Sequence, residues 1–356
     1  MHNIRVLYLG ENWYGSCARA CGYSLRRIGC NVLDIDAQTF FPSVQTWSGR
    51  VLRRLMRGAL IEAYNNEILR RARDFAPDIL LVFKGYFVQA KTVRALRRNG
   101  IRCYNFYPDR LIFAGEFERE AIPEYDCLFD TKRHWDGDVS KRITVRERCF
   151  IPHGYDPEIH NPIAPDDRDE LQYGCDVGVV AGWSPRKQAF AEALVRLRPN
   201  LDLKIWGENW RRTGLLSTHV QGYGVHGAQY ARAVRCFRIN LALLGINKEI
   251  QDETTTRTFE IPACGGFMLH ERTEELCQLY HEDEEVASYG SPEEALEKID
   301  YYLKDPAERN EIATAGRLRC VPAYSYDNRM AEILRWHCNQ VGMPMRPRDV
   351  AGEDGA

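Results

Sequence analysis

Two groups of residues in the second half of the chain have the types and spacing to hold an anionic, hydroxyl-bearing ligand. The first is Thr254–Leu269, TTTRTFEIPACGGFML. Its polar lead-in, with Thr256 and Arg257, precedes a predicted helix start, where free backbone N–H groups and the positive dipole end favour a phosphate. Glu260 follows on the first turn. A carboxylate there can accept hydrogen bonds from vicinal hydroxyls, as an acidic residue does for ribose in dinucleotide folds. Capping residues before an apolar run are a plainer account of the same pattern; the organisation of the whole half-chain favours the ligand. The second group is Gly182-Trp183-Ser184-Pro185-Arg186-Lys187. This is a glycine turn from strand to helix with two adjacent cations, which suits a diphosphate: the backbone donates N–H groups, and Arg186 or Lys187 adds charge-assisted bonds. It is not a P-loop, since G-x-x-x-x-G-K-[ST] is absent. Two further glycine turns, Gly207-Glu208-Asn209-Trp210 and Gly222-Tyr223-Gly224, offer places for a base, with Tyr223 either stacking on it or filling the turn.

In the first half, chemistry-bearing residues fall at predicted strand ends. Lys84-Gly85 closes one strand and Tyr107-Pro108-Asp109-Arg110 the next. Open α/β sheets bind ligands beyond the carboxyl ends of their strands. Asp109 is therefore a candidate acid/base or acceptor-hydroxyl ligand, although a Pro-Asp turn explains it too. Pro152-His153-Gly154-Tyr155-Asp156 follows the last strand of this half. Asp34 and Asp36 form a D-x-D, a pair that holds a divalent metal in some transferases; here it ends a second strand, which is the reading preferred.

The elements that must position these groups repeat a strand-loop-helix step. Ile4–Leu9, a helix over Ala18–Ile28 and Asn31–Ile35 open a doubly wound sheet without the G-x-G-x-x-G fingerprint. Trp47–Phe75 reads as a helix or helix pair, with Arg on one face and Leu, Met and Ile on the other. Strands at Ile79–Phe83, Arg102–Phe106, Tyr125–Asp130 and Arg148–Ile151 complete this half. The Pro- and Asp-rich stretch from Pro157 to Gln172 is predicted to be a linker. The pattern then restarts with strands at Asp176–Ala181, Leu201–Trp206, Val220–Val225, Ile239–Leu244 and Phe267–Leu269. Expected boundaries are 1–160 for an acceptor-side domain, 174–325 for a donor-binding domain, 326–340 for a C-terminal helix and 342–356 for a disordered tail.

Composition narrows the function classes. Lys and Arg total 48 against 50 Asp and Glu in 356 residues, so no global field draws nucleic acid or an anionic membrane. Local basic runs at Arg50–Arg57 and Arg94–Arg98 read as solvated helix faces; the first also keeps open docking to an anionic acceptor or a membrane surface. None of the 12 cysteines forms a C-x-x-C pair, and zinc spacings are missing. Buried free thiols in a reducing cytosol fit best. No apolar run approaches a membrane span, and MHNIRVLYLG reads as a strand rather than a signal peptide. The expected location is cytoplasmic, with the inner-membrane periphery as a variant.

The segments VAGWSPRK, LKIWGENW, RTFEIPACGGFML, YHEDEEVASYGSPEEALEKIDYYLKDPAERNEIATAG and YDNRMAEIL, in order over roughly residues 175–335, resemble the C-terminal domain of GT-B-fold glycosyltransferases, specifically the CgeB-like (spore maturation protein) branch near glycosyltransferase family four. IPHGYDP is similar to the I-P-N-G-V-D of that group. The resemblance implies an α/β chain of two Rossmann-like domains facing across a cleft. It implies sugar transfer from a nucleoside-diphosphate sugar to an acceptor hydroxyl (glycan, lipid-linked, protein or small molecule), with no metal and no cofactor beyond the nucleotide-sugar co-substrate. Carried over, Glu260 matches the carboxylate that holds the ribose, Arg186 and Lys187 meet the diphosphate, and Thr256 and Arg257 lie beside it. Retaining members carry an acid eight residues before the ribose Glu. That slot is Asp252 here, with Glu253 adjacent and the surrounding glycines missing, so retention and inversion both stay open. His153 stands where the family has Asn; it or Asp109 is the candidate to assist the acceptor proton. A sugar-nucleotide epimerase of the same plan and a non-catalytic sugar-nucleotide-binding protein are the alternatives.

Overall fold

The computed structural model describes residues 4–42, 46–110, 114–133, 142–212, 214–222, 224–247 and 250–343. Two compact units make up the chain, one comprising Met1–Pro152 with Arg329–Ala356 and the other His153–Asn328. The expected tail lies outside the described residues beyond Met343.

The first unit carries a six-stranded sheet in the order β2-β1-β3-β4-β5-β6, built from β1 (Arg5–Leu9), β2 (Asn31–Ile35), β3 (Ile79–Phe83), β4 (Arg102–Tyr107), β5 (Cys127–Asp130) and β6 (Arg148–Phe150). Every pairing is parallel. β3 is ILLVF and buried throughout, as a strand covered on both faces requires. Helices α1 (Cys17–Arg27), α2 (Trp47–Leu55), α3 (Arg57–Phe75), α4 (Ala90–Arg98) and α5 (Glu116–Ala121) fill the connections. Ser16 starts α1 by accepting from the N–H groups of Ala18 and Arg19. The predicted D-x-D is spent locally. Asp34 pairs with Arg26, and Asp36 accepts from the N–H of Gln38 at 2.8 Å and of Asn12 at 3.2 Å.

The second unit repeats the plan in the order β14-β13-β10-β7-β8-β9. Its strands are β7 (Cys175–Val180), β8 (Leu203–Trp206), β9 (Val220–Gly222), β10 (Phe237–Ala242), β13 (Met268–Glu271) and β14 (Ala287–Tyr289), all parallel, with a small antiparallel pair β11 (Ile246–Asn247) and β12 (Ile250–Gln251) after β10. The helices are α6 (Asp167–Tyr173), α7 (Pro185–Leu197), α8 (Ala228–Cys236), α9 (Arg257–Ala263), α10 (Glu274–Leu279), α11 (Pro292–Lys304) and α12 (Pro306–Cys320). Part of the stretch read as a linker is thus a helix. The Asp166 carboxylate accepts from the N–H groups of Arg168 and Asp169 while Asp169 accepts from the N–H of Asp166, a reciprocal cap. The acids that suggested a linker are the ones that start α6.

The last helix, α13 (Tyr326–Val341), joins the first unit from Arg329 onward. Trp336 sets its ring edge-on to Tyr104 and Phe129 at 5.3 and 5.4 Å, and the Tyr104 hydroxyl bonds His337 Nδ1 at 2.8 Å. No helix among the described residues is long and apolar enough to cross a membrane.

Two turns of the second unit are zipped together. The N–H of Ala181 donates to Trp206 O, that of Trp183 to Glu208 O and that of Gly207 to Gly222 O, at 2.9, 2.9 and 3.1 Å. Trp210 Nε1 donates to Ala181 O at 2.7 Å. A Cβ on Gly207 would sit 1.8 Å from that same carbonyl, so only glycine lets the turns close. Gly207→Ala is expected to lower unfolding stability by about 2 kcal/mol or more, the scale of overpacking a tight site; urea titration checks it.

Candidate functional site

The site in the second unit is built at the carboxyl edge of its sheet. β7 ends at Val180, and Ser184 starts α7 by accepting from the N–H of Lys187, with Pro185 in the first position. This fixes Arg186 and Lys187 in the opening turn. Lys187 folds back so that Nζ donates to Gly182 O at 2.9 Å. Burial and the neighbouring Arg257 push its ammonium down to about 7, and Asp252 offsets this only in part. Arg186 pairs with Glu271, the last residue of β13, while its Nη1 is shielded from solvent with no hydrogen-bond acceptor.

Helix α9 supplies the other half. Thr256 sits at its start, yet no side chain caps it. Thr254 is withdrawn from the polar lead-in: it is buried and donates to Glu275 Oε1 at 2.9 Å. Thr258 locks the helix to β13. His270 Nδ1 donates to Glu271 O at 2.6 Å, so its Nε2 is the acceptor, and the Thr258 hydroxyl donates to it at 2.9 Å. Arg257 Nη2 reaches Leu243 O at 3.4 Å, but its Nε and the Thr255 hydroxyl are shielded and lack partners.

Glu260 follows one turn into α9 with its side chain 14% exposed. Burial pushes its carboxyl up to about 7 against the opposing pull of Arg257, the Thr256 side chain and Tyr230. Arg257 therefore acts on both Glu260 and Lys187, linking the two predicted ligand groups. Two residues beside Glu260 were absent from the sequence-level set. His160 Nε2 lies 3.8 Å from Glu260 Oε1, and its Nδ1 accepts the N–H of Asp156 at 2.9 Å. That bond puts the proton on Nε2, facing the carboxylate, and burial pushes the ring down to about 3. Tyr230 sets its ring edge-on to His160 at 5.6 Å. Neither residue has a local motif, because they come from a loop and a different helix. Glu271 was missed too, although an acid ending a strand at the ligand edge was a usable signal.

The other predicted residues divide. Asp252 is drawn into the group: its carboxylate acts on Lys187 and its Oδ2 lies 3.0 Å from where a Gly245 Cβ would be. Gly182 has open space around its Cα. Gly207 is explained by its approach to Ala181 rather than by a ligand. Tyr223 lies outside the described residues. His153 is buried and belongs to the second unit, where Gly154 packs on the Tyr324–Tyr326 backbone and Tyr155 bridges Ser325.

Asp109 belongs to the first unit, where Lys84 Nζ contacts its Oδ2 at 2.7 Å. Burial lowers the Lys84 ammonium, but the Asp109 carboxylate outweighs it and holds the group above its ordinary range. Lys84 adopts φ +59°, an uncommon conformation for a non-glycine residue, and such outliers cluster at functional sites. It borders a cavity of about 670 Å³ lined by residues including Glu11, Phe41, Arg53, Tyr64 and Phe87.

Residues 186–335 match the family model described as glycosyl transferase-like. No curated protein matches the chain. Among solved structures it is similar to a sucrose-phosphate synthase from Thermosynechococcus elongatus, at 11% identity and TM-score 0.67 over 96% of this chain and 100% of that one. It is similar to HepE from Anabaena in complex with UDP-glucose, at 13% identity and TM-score 0.61 over 94% and 100%. A putative UDP-N-acetylglucosamine 2-epimerase from Listeria monocytogenes aligns at 10% identity and TM-score 0.54 over 97% and 98%. At such identities the likeness is one of fold, and the two six-stranded parallel sheets with their helices are the GT-B plan.

The Glu260 environment has a measurable signature. Its folded value, about 7, is above the ordinary 4.5, so the folded state keeps a proton that the unfolded chain has lost. Its contribution to stability is complete below about 4.5 and is lost as pH rises through about 7. Glu260→Gln removes that dependence. Thermal melts at pH 5 and pH 8 are expected to show the variant gaining on wild type at the higher pH.

Proposed function

We propose that the chain is a glycosyltransferase that moves a sugar from a nucleoside-diphosphate sugar to an acceptor hydroxyl, with the donor held by the second unit. The observation that carries this is a set of donors without acceptors on the segments that follow β7 and β10. Arg186 Nη1, Arg257 Nε and Thr255 Oγ1 lack acceptors, and Lys187 is an ammonium depressed by burial and by Arg257. A shielded donor without a partner costs free energy that a bound anion can return. In this reading the diphosphate is the missing acceptor, and the protein cations stabilise it as the leaving group, doing what a divalent metal does elsewhere. Glu260, once deprotonated, accepts from the ribose hydroxyls. Asp252 faces the donor sugar, and Asp109, held by Lys84, or His153 takes the acceptor proton. The matched segments favour the CgeB-like branch, and the UDP-glucose carried by the Anabaena neighbour makes uridine donors the first to test.

Epimerisation is the second reading, prompted by the Listeria neighbour. Product analysis without acceptor separates the two: an epimerase converts the nucleotide sugar alone. A binder without turnover on any acceptor is the third.

Incubation with a nucleotide-sugar panel is the direct test. Binding with slow hydrolysis or transfer is expected, and a panel in which no sugar nucleotide binds or breaks down sinks the proposal. Glu260→Ala is expected to weaken nucleoside-diphosphate binding by about 1–3 kcal/mol, the scale of losing a hydrogen bond to a charged group. Affinity is also expected to peak near neutral pH. It falls on the acid side as Glu260 is protonated and on the alkaline side as Lys187 loses its proton, both near pH 7. Calorimetry of Lys187→Met, expected to lack the alkaline fall, checks the assignment.

A further inference from the structure

We propose that α2, with the two residues after it, docks the first unit onto an anionic lipid surface. This goes beyond the proposed transfer reaction and does not depend on it. α2 buries only Gly49. Of the sixteen exposed large hydrophobic residues among those described, five fall in this eleven-residue stretch: Trp47 73%, Val51 37%, Leu52 46%, Leu55 79% and Met56 45% exposed. At 3.6 residues per turn these five cover one side of the helix, and Arg50, Arg53, Arg54 and Arg57 cover the other. No Asp or Glu occurs from Ala37 to Ile61, so the stretch is cationic within a chain of net charge −2.

The cationic side is braced on the unit. Arg53 lies 5.0 Å from the Phe41 ring and 5.6 Å from the Phe87 ring, and Arg57 lies 5.9 Å from the Phe117 ring. That leaves the Trp and Leu side outward, while Arg50, Arg54 and Arg57 stay exposed beside it. Trp and Leu on one side with Arg on the other is the make-up of helices that lie in the plane of a bilayer interface, and each Arg near an anionic leaflet adds attraction. A second copy of the chain is a poorer occupant. A two-fold interface through this face would pair the apolar sides but offer Arg50, Arg54 and Arg57 no acid, since the same stretch of the second copy carries none.

The test uses the full-length protein with vesicles of phosphatidylglycerol and phosphatidylcholine, against vesicles of phosphatidylcholine alone. Sedimentation is expected to show at least tenfold tighter binding to the anionic vesicles, falling with added salt. Tryptophan emission is expected to shift to the blue on binding, with the shift lost in Trp47→Phe. Leu52→Glu with Leu55→Glu, both at exposed positions, is expected to weaken binding at least tenfold with an unchanged thermal melt, as is Arg50→Gln with Arg54→Gln. Equal affinity for the two vesicle types overturns the proposal, as does undiminished binding by either variant. So does a concentration-dependent dimer of the wild type that the paired Glu variant abolishes, because a second copy then covers the face.

Discussion

The second unit is organised around a contest over buried charge. Arg257 acts on Lys187 and Glu260 at once, favouring the ionised carboxylate and disfavouring the ammonium. Burial works against both charges, and the outcome is two groups of opposite type brought near the same neutral value. Two groups in that condition take up whichever protonation a ligand demands, beside the fixed charge of Arg257. Arg186 stands outside this balance. It cannot shed its proton, so it is stabilised by Glu271 instead.

The parallel sheet makes this crowding possible. Because neighbouring strands of both sheets run the same way, the loops after β7, β10 and β13 all emerge at one edge. Residues as far apart in sequence as Lys187 and Arg257 thus come within electrostatic reach of each other without any long excursion of the chain. The zipped turns after β7 and β8, closed by the absence of a side chain on Gly207, hold the start of α7 still while it presents its cations. Thr258 and His270 do the same for α9. Rigid support of this kind keeps charged side chains from relaxing toward water.

Much of this was legible in the sequence. Apolar runs such as ILLVF announce strands covered on both faces, and the turns that follow them mark the ligand edge. Arg186, Lys187 and Glu260 could be singled out as candidates because each sits at a local signal, a glycine turn or a helix start. His160 and Tyr230 were not, since nothing in their neighbourhoods distinguishes them from ordinary core residues; only the folded chain brings them to Glu260. The polar lead-in misled at Thr254, whose hydroxyl turns inward to Glu275. Acids from Asp166 onward read as linker composition because charge content is visible in one dimension and a reciprocal cap is not. Nor could periodicity assign α13 to the first unit, since an apolar stripe says that a helix packs but not against what.

That last helix orders events during synthesis. Domains generally form as they leave the ribosome, the earlier-encoded one first. Here the rings of Tyr104 and Phe129 gain the cover of Trp336 and His337 only after the intervening second unit has been translated. The segment from His153 to Asn328 is whole before then. The first unit is thus completed by residues translated after the whole of the second, and a chain cut at Asn328 lacks that cover.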